Sequence, residues 1–246
     1  MKPWIGVTTH IDKGELQDIY PNHPLLYIER HYIEALQSHN MIPIILPPIS
    51  DRSEIQSYLG KLDGLLISGG GFLPLKKSSN VSLGLKDTGS ERYNFELSLL
   101  EEALPLEIPI LGVCRGKQMI NEVCGGTLKS IESIIEHHQE KNNIPGDTPT
   151  HELKVETSSL LGNILGKKAV KVNSFHRQCI DRLGEGLKVS ALSIEDDIIE
   201  AIEGEEHPWL IGLQFHPEKL WKKDSSWSNL FTSMYEATKL YSQNKK

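Results

Sequence analysis

Short apolar runs bounded by glycine, proline and charged residues alternate along the chain with stretches whose apolar positions recur every three or four residues. Runs of that kind suit strands buried on both faces, and the stretches between them suit helices that cover such strands. The alternation predicts an α/β fold, a mostly parallel central sheet with helices on both faces. Strands are expected over 5–9, 41–46, 65–68, 110–113, 151–156, 169–172, 187–192, 198–202 and 210–215. Helices are expected over 25–39, 53–59, 91–104, from 115 or 116 onward, and over 225–241, with a disordered tail at 243–246. Two stretches carry no clear period, 73–90 and 133–150, and long loops of this sort commonly border a substrate cleft.

Neither a repeat nor a linker interrupts the pattern, so residues 1–246 are expected to form one domain, and 38% hydrophobic content supplies its core. The formal net charge of −7, with lysines and arginines scattered, argues against a nucleic-acid partner. The apolar stretch ending at Thr9 is too short for a signal segment and no run approaches the length of a membrane span, which predicts a cytoplasmic protein without membrane association. Cys114, Cys124 and Cys179 cannot all pair and fit no zinc framework, so at least one thiol is free. An exposed sheet edge or helix face would support a homodimer.

Candidate chemistry centres on Gly112-Val113-Cys114-Arg115-Gly116-Lys117-Gln118, an apolar strand running into Gly-x-Cys-x-Gly and a helix. Such a turn presents the side chain alone at the strand end, at a helix N-terminus that favours thiolate, with the Arg115 N–H placed for a developing oxyanion. The bland alternative is a buried cysteine before an ordinary glycine turn. A phosphate-binding loop is excluded, because Gly112 to Lys117 is one residue short and Gln118 stands where Ser or Thr is needed. At the end of the last expected strand comes His216-Pro217-Glu218; in an extended chain His216 and Glu218 share one side, as a base and its orienting carboxylate would. A surface His-Pro turn with a solvated glutamate is the alternative. Gly69-Gly70-Gly71 ends another strand and offers a second backbone donor. The three strand ends together form a coherent site for a cysteine-nucleophile hydrolase.

With these residues in place the chain resembles the class I glutamine amidotransferase superfamily, in which a Gly-x-Cys-x-Gly-x-Gln elbow is followed far downstream by His-Pro-Glu. It is most similar to the γ-glutamyl-γ-aminobutyrate hydrolase group, also called peptidase C26, through Cys114-Arg115-Gly116, Gly125-Gly126-Thr127-Leu128 and the Val-Asn-Ser-x-His-x-Gln segment at 172–178. The resemblance implies a catalytic triad of Cys114, His216 and Glu218, an oxyanion hole from Gly70 and Arg115, and substrate contacts from Gln118, Asn173, Ser174 and His176. It further implies a small-molecule γ-glutamyl substrate, hydrolysed to glutamate and an amine without any cofactor. Two places depart from the group's pattern: Gly71 to Pro74, where an acidic residue is common, and Arg177, where a second histidine is.

Alternatives to a free-standing hydrolase are a glutaminase subunit supplying ammonia to a separate synthase and a non-catalytic sensor of a glutamyl ligand. Cys124 and Cys179 read as packing residues. His137, His138 and His151 fit no common metal spacing and read as a solvated loop, so no metal site is expected.

Overall fold

The computed structural model describes residues 1–12, 22–70, 89–133 and 135–245. Its elements in chain order are β1 (Trp4–Thr8), β2 (His10–Asp12), β3 (Leu25–Tyr27), α1 (Arg30–Ser38), β4 (Ile42–Leu46), α2 (Arg52–Leu59), β5 (Gly64–Ile67), α3 (Gly89–Ala103), β6 (Ile110–Val113), α4 (Arg115–Val123), β7 (Thr127–Ser130), β8 (His151–Val155), α5 (Leu160–Leu165), β9 (Ala169–Val172), β10 (Gln178–Arg182), β11 (Leu187–Ser193), β12 (Ile199–Gly204), β13 (Leu210–Leu213) and α6 (Ser225–Asn244).

A nine-stranded sheet in the order β4-β1-β5-β6-β13-β12-β11-β8-β9 spans the molecule. The strands from β4 to β13 are parallel and those from β13 to β9 pair antiparallel, so that only β12 and β8 run against the common direction. β5, β6 and β13 are buried at every position, as four-residue apolar strands in the middle of a covered sheet must be. On one face α1, α5 and α6 contribute Tyr32, Leu36, Leu161, Trp227 and Phe231 to a core; on the other, α2, α3 and α4 contribute Ile55, Phe95, Leu99 and Ile120 to a second. The expected class is therefore the observed one. Among the described residues no helix is long and apolar enough to cross a membrane.

Several local expectations are corrected. The helix expected over 25–39 begins only at Arg30; Leu25–Tyr27 pairs instead with β2 and has no buried position, and Glu29 at the helix entry is extended (φ −64°, ψ 131°). The pair β7 and β10 forms a separate antiparallel ribbon that carries no apolar period, because β7 has no buried position and β10 buries only the consecutive Gln178, Cys179 and Ile180. The tail expected to be disordered continues α6 through Asn244, and Lys245 Nζ donates to the carbonyls of Leu59 and Leu62. Most of the unassigned stretch 73–90 lies outside the described residues, whereas 133–150 folds against the candidate site.

Candidate active site

The carboxyl ends of β5, β6 and β13 converge on one point, as open α/β sheets dictate for their ligand sites. β6 delivers Cys114 at the cap of α4, with φ 51° and ψ −101°. A non-glycine residue in that region is strained, and it persists only where its surroundings over-determine it. Here they do: Cys114 N donates to Leu213 O at 2.6 Å, and Gly116 lets α4 lie so close to β5 that a Cβ there would stand 2.1 Å from Ile67 O. The first intrahelical bond runs from Gln118 N to Cys114 O, so the backbone N–H of Arg115 lies in the first turn of α4, directly after the cysteine. The Arg115 side chain turns away to Glu96 (3.0 Å), so only its backbone faces the cysteine.

β13 runs beside β6 in register Leu213 to Val113, and the chain beyond it passes the sulfur. Gln214 Nε2 lies 3.7 Å from Cys114 Sγ, and His216 follows within hydrogen-bonding reach of the same thiol. The sequence pattern suggested that His216 and Glu218 share a face of an extended strand. Instead Pro217–Lys219 forms a 3₁₀ turn that folds the Glu218 carboxylate back, Oε1 lying 2.6 Å from His216 Nδ1. Burial pulls the imidazole pKa down, but the Glu218 charge and hydrogen bonds to Cys114 and Glu218 outweigh it and raise the value to about 10. Asn173, just past β9, clasps the His216 backbone from both sides: its Oδ1 accepts from His216 N (2.8 Å) and its Nδ2 donates to His216 O (3.1 Å).

The glycine turn after β5 is aimed by Arg92 of α3. This guanidinium, without exposed surface, donates to the carbonyls of Ser68 and Gly69 (3.0 Å each) and Gly70 (3.2 Å), and its charge is balanced by Glu96 at 2.7 Å. In a planar trans peptide the N–H points opposite to the C=O. With the Gly69 carbonyl drawn to Arg92, the Gly70 N–H must point the other way, while the Gly69 N–H is taken by Tyr32 Oη at 2.9 Å. Gly70 itself has φ 84°, and a Cβ there would sit 2.0 Å from His10, so the position admits only glycine.

These parts surround a cavity of about 180 Å³ lined by Gly70, Cys114, Gln118, His176 and His216, and also by Glu29, His138, Glu140, Phe175 and Lys219. Of the residues expected to contact substrate, Gln118 and His176 stand in the wall. Asn173 and Ser174 do not: Asn173 is engaged with His216 and Gly146, and Ser174 holds Gln139 Oε1 and the His137 carbonyl. They back the wall because β9 ends before the chain reaches the cavity. Glu29 and Lys219 were missed; they pair across the rim at 2.6 Å, and no local motif marks Glu29, which is distant in sequence. Burial raises the thiol pKa of Cys124 and Cys179, leaving both poor nucleophiles. His137, His138 and His151, expected in a solvated loop, are all buried. Chemically, the site offers a strained thiol, a cationic imidazole paired to a carboxylate, and backbone donors aimed at one small cavity.

Comparison with known proteins agrees with this architecture. The chain is 32% identical to a glutamine amidotransferase-like protein of Rickettsia prowazekii over 89% of its own length and 92% of that protein's. It is 30% identical to the gamma-glutamyl-gamma-aminobutyrate hydrolase PuuD of Escherichia coli strain K12 over 80% of each chain. Among solved structures it superimposes on a glutamine amidotransferase from Thermotoga maritima with a TM-score of 0.57 at 15% identity, covering 100% of this chain and 91% of that one, a likeness of fold alone. The Peptidase C26 family model matches residues 3–218, and the chain belongs to that family of glutamine amidotransferase-like hydrolases.

Proposed function

We propose that the protein hydrolyses γ-glutamyl amides by a Cys114-His216-Glu218 triad, releasing glutamate and an amine with no partner protein. The observation that carries this reading is the convergence of a strained cysteine and a buried His-Glu pair 2.6 Å apart on one cavity at the ends of adjacent strands. The Cys114 thiolate attacks the γ-carbonyl while His216, kept protonated by Glu218, waits to deliver its proton to the departing amine. The oxyanion formed in that step, and again when water opens the γ-glutamyl thioester, is held by the N–H groups of Gly70 and Arg115. His216 takes the proton from that water, so the second half-reaction returns the resting state. Glu29, Glu140 and Lys219 at the rim supply charges of both signs, as a substrate bearing an α-amino and an α-carboxylate group requires.

The test is release of amine and ammonia from a panel of γ-glutamyl amines and from glutamine, using the purified chain alone. Turnover of the amines, abolished in Cys114→Ala and retained in Cys179→Ser, is the expected result. Ammonia from glutamine only in the presence of a second protein would make it a glutaminase subunit. Tight binding of glutamyl ligands without turnover would make it a sensor.

A further inference from the structure

Behind the His176 wall of the cavity, a second cluster of chemistry-bearing side chains plays no part in the proposed reaction. His137 from the 133–150 segment, His151 at the start of β8, His176 beyond β9 and Glu200 in β12 all turn their side chains to one buried point; their exposures are 2%, 6%, 2% and 0%. His137 Nδ1 and His151 Nε2 each lie 3.8 Å from Glu200 Oε1, and His176 Nε2 lies 3.2 Å from the same oxygen. Donor atoms of His137, His151 and Glu200 fall within 4.8 Å of one another. Yet neither oxygen of Glu200, nor Nε2 of His151 or His176, makes a hydrogen bond of acceptable geometry. Lys117, a buried cation whose charge acts on Glu200, gives its Nζ hydrogens to Gln214 and the Ile199 carbonyl instead.

Hydrogen bonds from an imidazolium to a carboxylate close to about 2.7–2.9 Å, shorter than any of these contacts. Bonds of about 2.0–2.2 Å from a tetrahedral metal hold its donors roughly 3.3–3.5 Å apart, and the ring nitrogens at 3.2, 3.8 and 3.8 Å from Glu200 Oε1 bracket that spacing. The partners on the far sides of the rings agree. His137 Nε2 lies 2.8 Å from Asp196 Oδ2 and so carries a proton, which turns Nδ1 toward Glu200. The Ser174 hydroxyl, 3.2 Å from that Nδ1, has its hydrogen on the His137 carbonyl and offers none to the ring. His176 Nδ1 faces the Gln178 carbonyl at 3.1 Å and must donate, which leaves Nε2 with a lone pair aimed at the carboxylate. A carboxylate that orients a histidine from behind while the other ring nitrogen looks into a shared site is the usual outer arrangement around a bound metal.

We infer that His137, His151, His176 and Glu200 form a closed, structural site for a divalent transition metal of the zinc type. Three imidazoles and one carboxylate are a donor set that selects zinc and its first-row neighbours over magnesium or calcium. The site joins four separate segments, two of which carry His138 and His176 in the wall of the catalytic cavity, so the ion fixes that wall without touching the reacting atoms.

Untagged protein purified after growth with zinc and then dialysed is expected to hold about one zinc per chain by mass spectrometry of the elements. Cobalt-substituted protein should show the visible bands of a low-coordinate nitrogen–oxygen site with no thiolate charge-transfer band. Cys114→Ala, which removes the alternative metal site at the nucleophile, should keep full stoichiometry, whereas His137→Asn combined with His151→Gln should lose it. Asp196→Asn, which leaves all four ligands in place, should weaken zinc affinity about ten- to hundredfold in a competition titration with a chelator. Stripping the metal should lower Tm, and zinc should restore it, whether or not the protein turns over any γ-glutamyl amide. Substoichiometric zinc in the wild type after equilibration with excess metal, or metal that leaves with Cys114→Ala and stays in the double variant, would overturn the assignment.

Discussion

Lys117 has no exposed surface, and burial lowers its pKa to about 8. Its Nζ donates to Gln214 Oε1 at 3.0 Å; with its oxygen so committed, the Gln214 amide must present its NH₂ to Cys114 Sγ. Lys117→Met keeps the length and frees the amide to flip. The substitution also leaves the Ile199 carbonyl without its donor, so Tm should fall, while alkylation of Cys114, compared at a temperature where both proteins are folded, should slow about tenfold, the value of one charge-assisted hydrogen bond. Unchanged alkylation would show that the amide needs no such anchor. His216 makes a pH prediction. Its folded pKa, about 10, stands above the ordinary 6.5, so its contribution to stability is fully present below pH 6.5 and is lost as pH rises through 10. The Tm difference between wild type and His216→Gln should therefore be largest near pH 6.5 and shrink steadily toward pH 10; a constant difference would mean that the imidazole is neutral in the folded protein.

At the scale of elements, the site was legible wherever a motif ends a strand. Cys114, His216 and the glycine turn each follow an apolar run whose burial the pattern of residues already required. The residues that aim them were not, because Arg92 sits on a helix face and Asn173 in a loop, and each acts across tens of residues. The contrast between Asn173 as pocket wall and Asn173 as clasp is open to experiment. A wall residue contributes to binding substrate, so its loss raises KM; a clasp holds the base, so its loss lowers kcat. Asn173→Ala leaves the His216 N–H buried without its acceptor, and kcat should fall about ten- to hundredfold with KM nearly unchanged. A rise in KM alone would return Asn173 to the pocket. The strands β3 and β7 escaped notice for the complementary reason: with no buried position they impose no period, β10 buries only the consecutive run Gln178 to Ile180, and the helix-like spacing of 25–39 came from α1 alone.

Across the whole molecule, the sheet separates two cores that share no side chain, yet its central strands bury one set of residues in each. Leu65 and Ile67 of β5 face one core and Leu66 faces the other; Ile110 and Leu111 of β6 divide in the same way. Loss of either core would leave these strands with a bare apolar face, so unfolding should be one cooperative event over the entire chain. Trp209 and Trp227 both lie in the core beneath α5 and α6, which makes their fluorescence a report on that face. Leu99 lies in the opposite core on α3, without exposed surface. Leu99→Ala should cost about 2–5 kcal/mol, and for a chain of this size each kcal/mol lowers Tm by roughly 2–4 °C. The decisive comparison is between probes. If the chain is one cooperative unit, tryptophan fluorescence and far-ultraviolet circular dichroism should shift to the same lower midpoint, although the substitution is on the face that holds neither tryptophan. A fluorescence midpoint that stays at the wild-type value while the dichroism falls would show that the two faces melt independently.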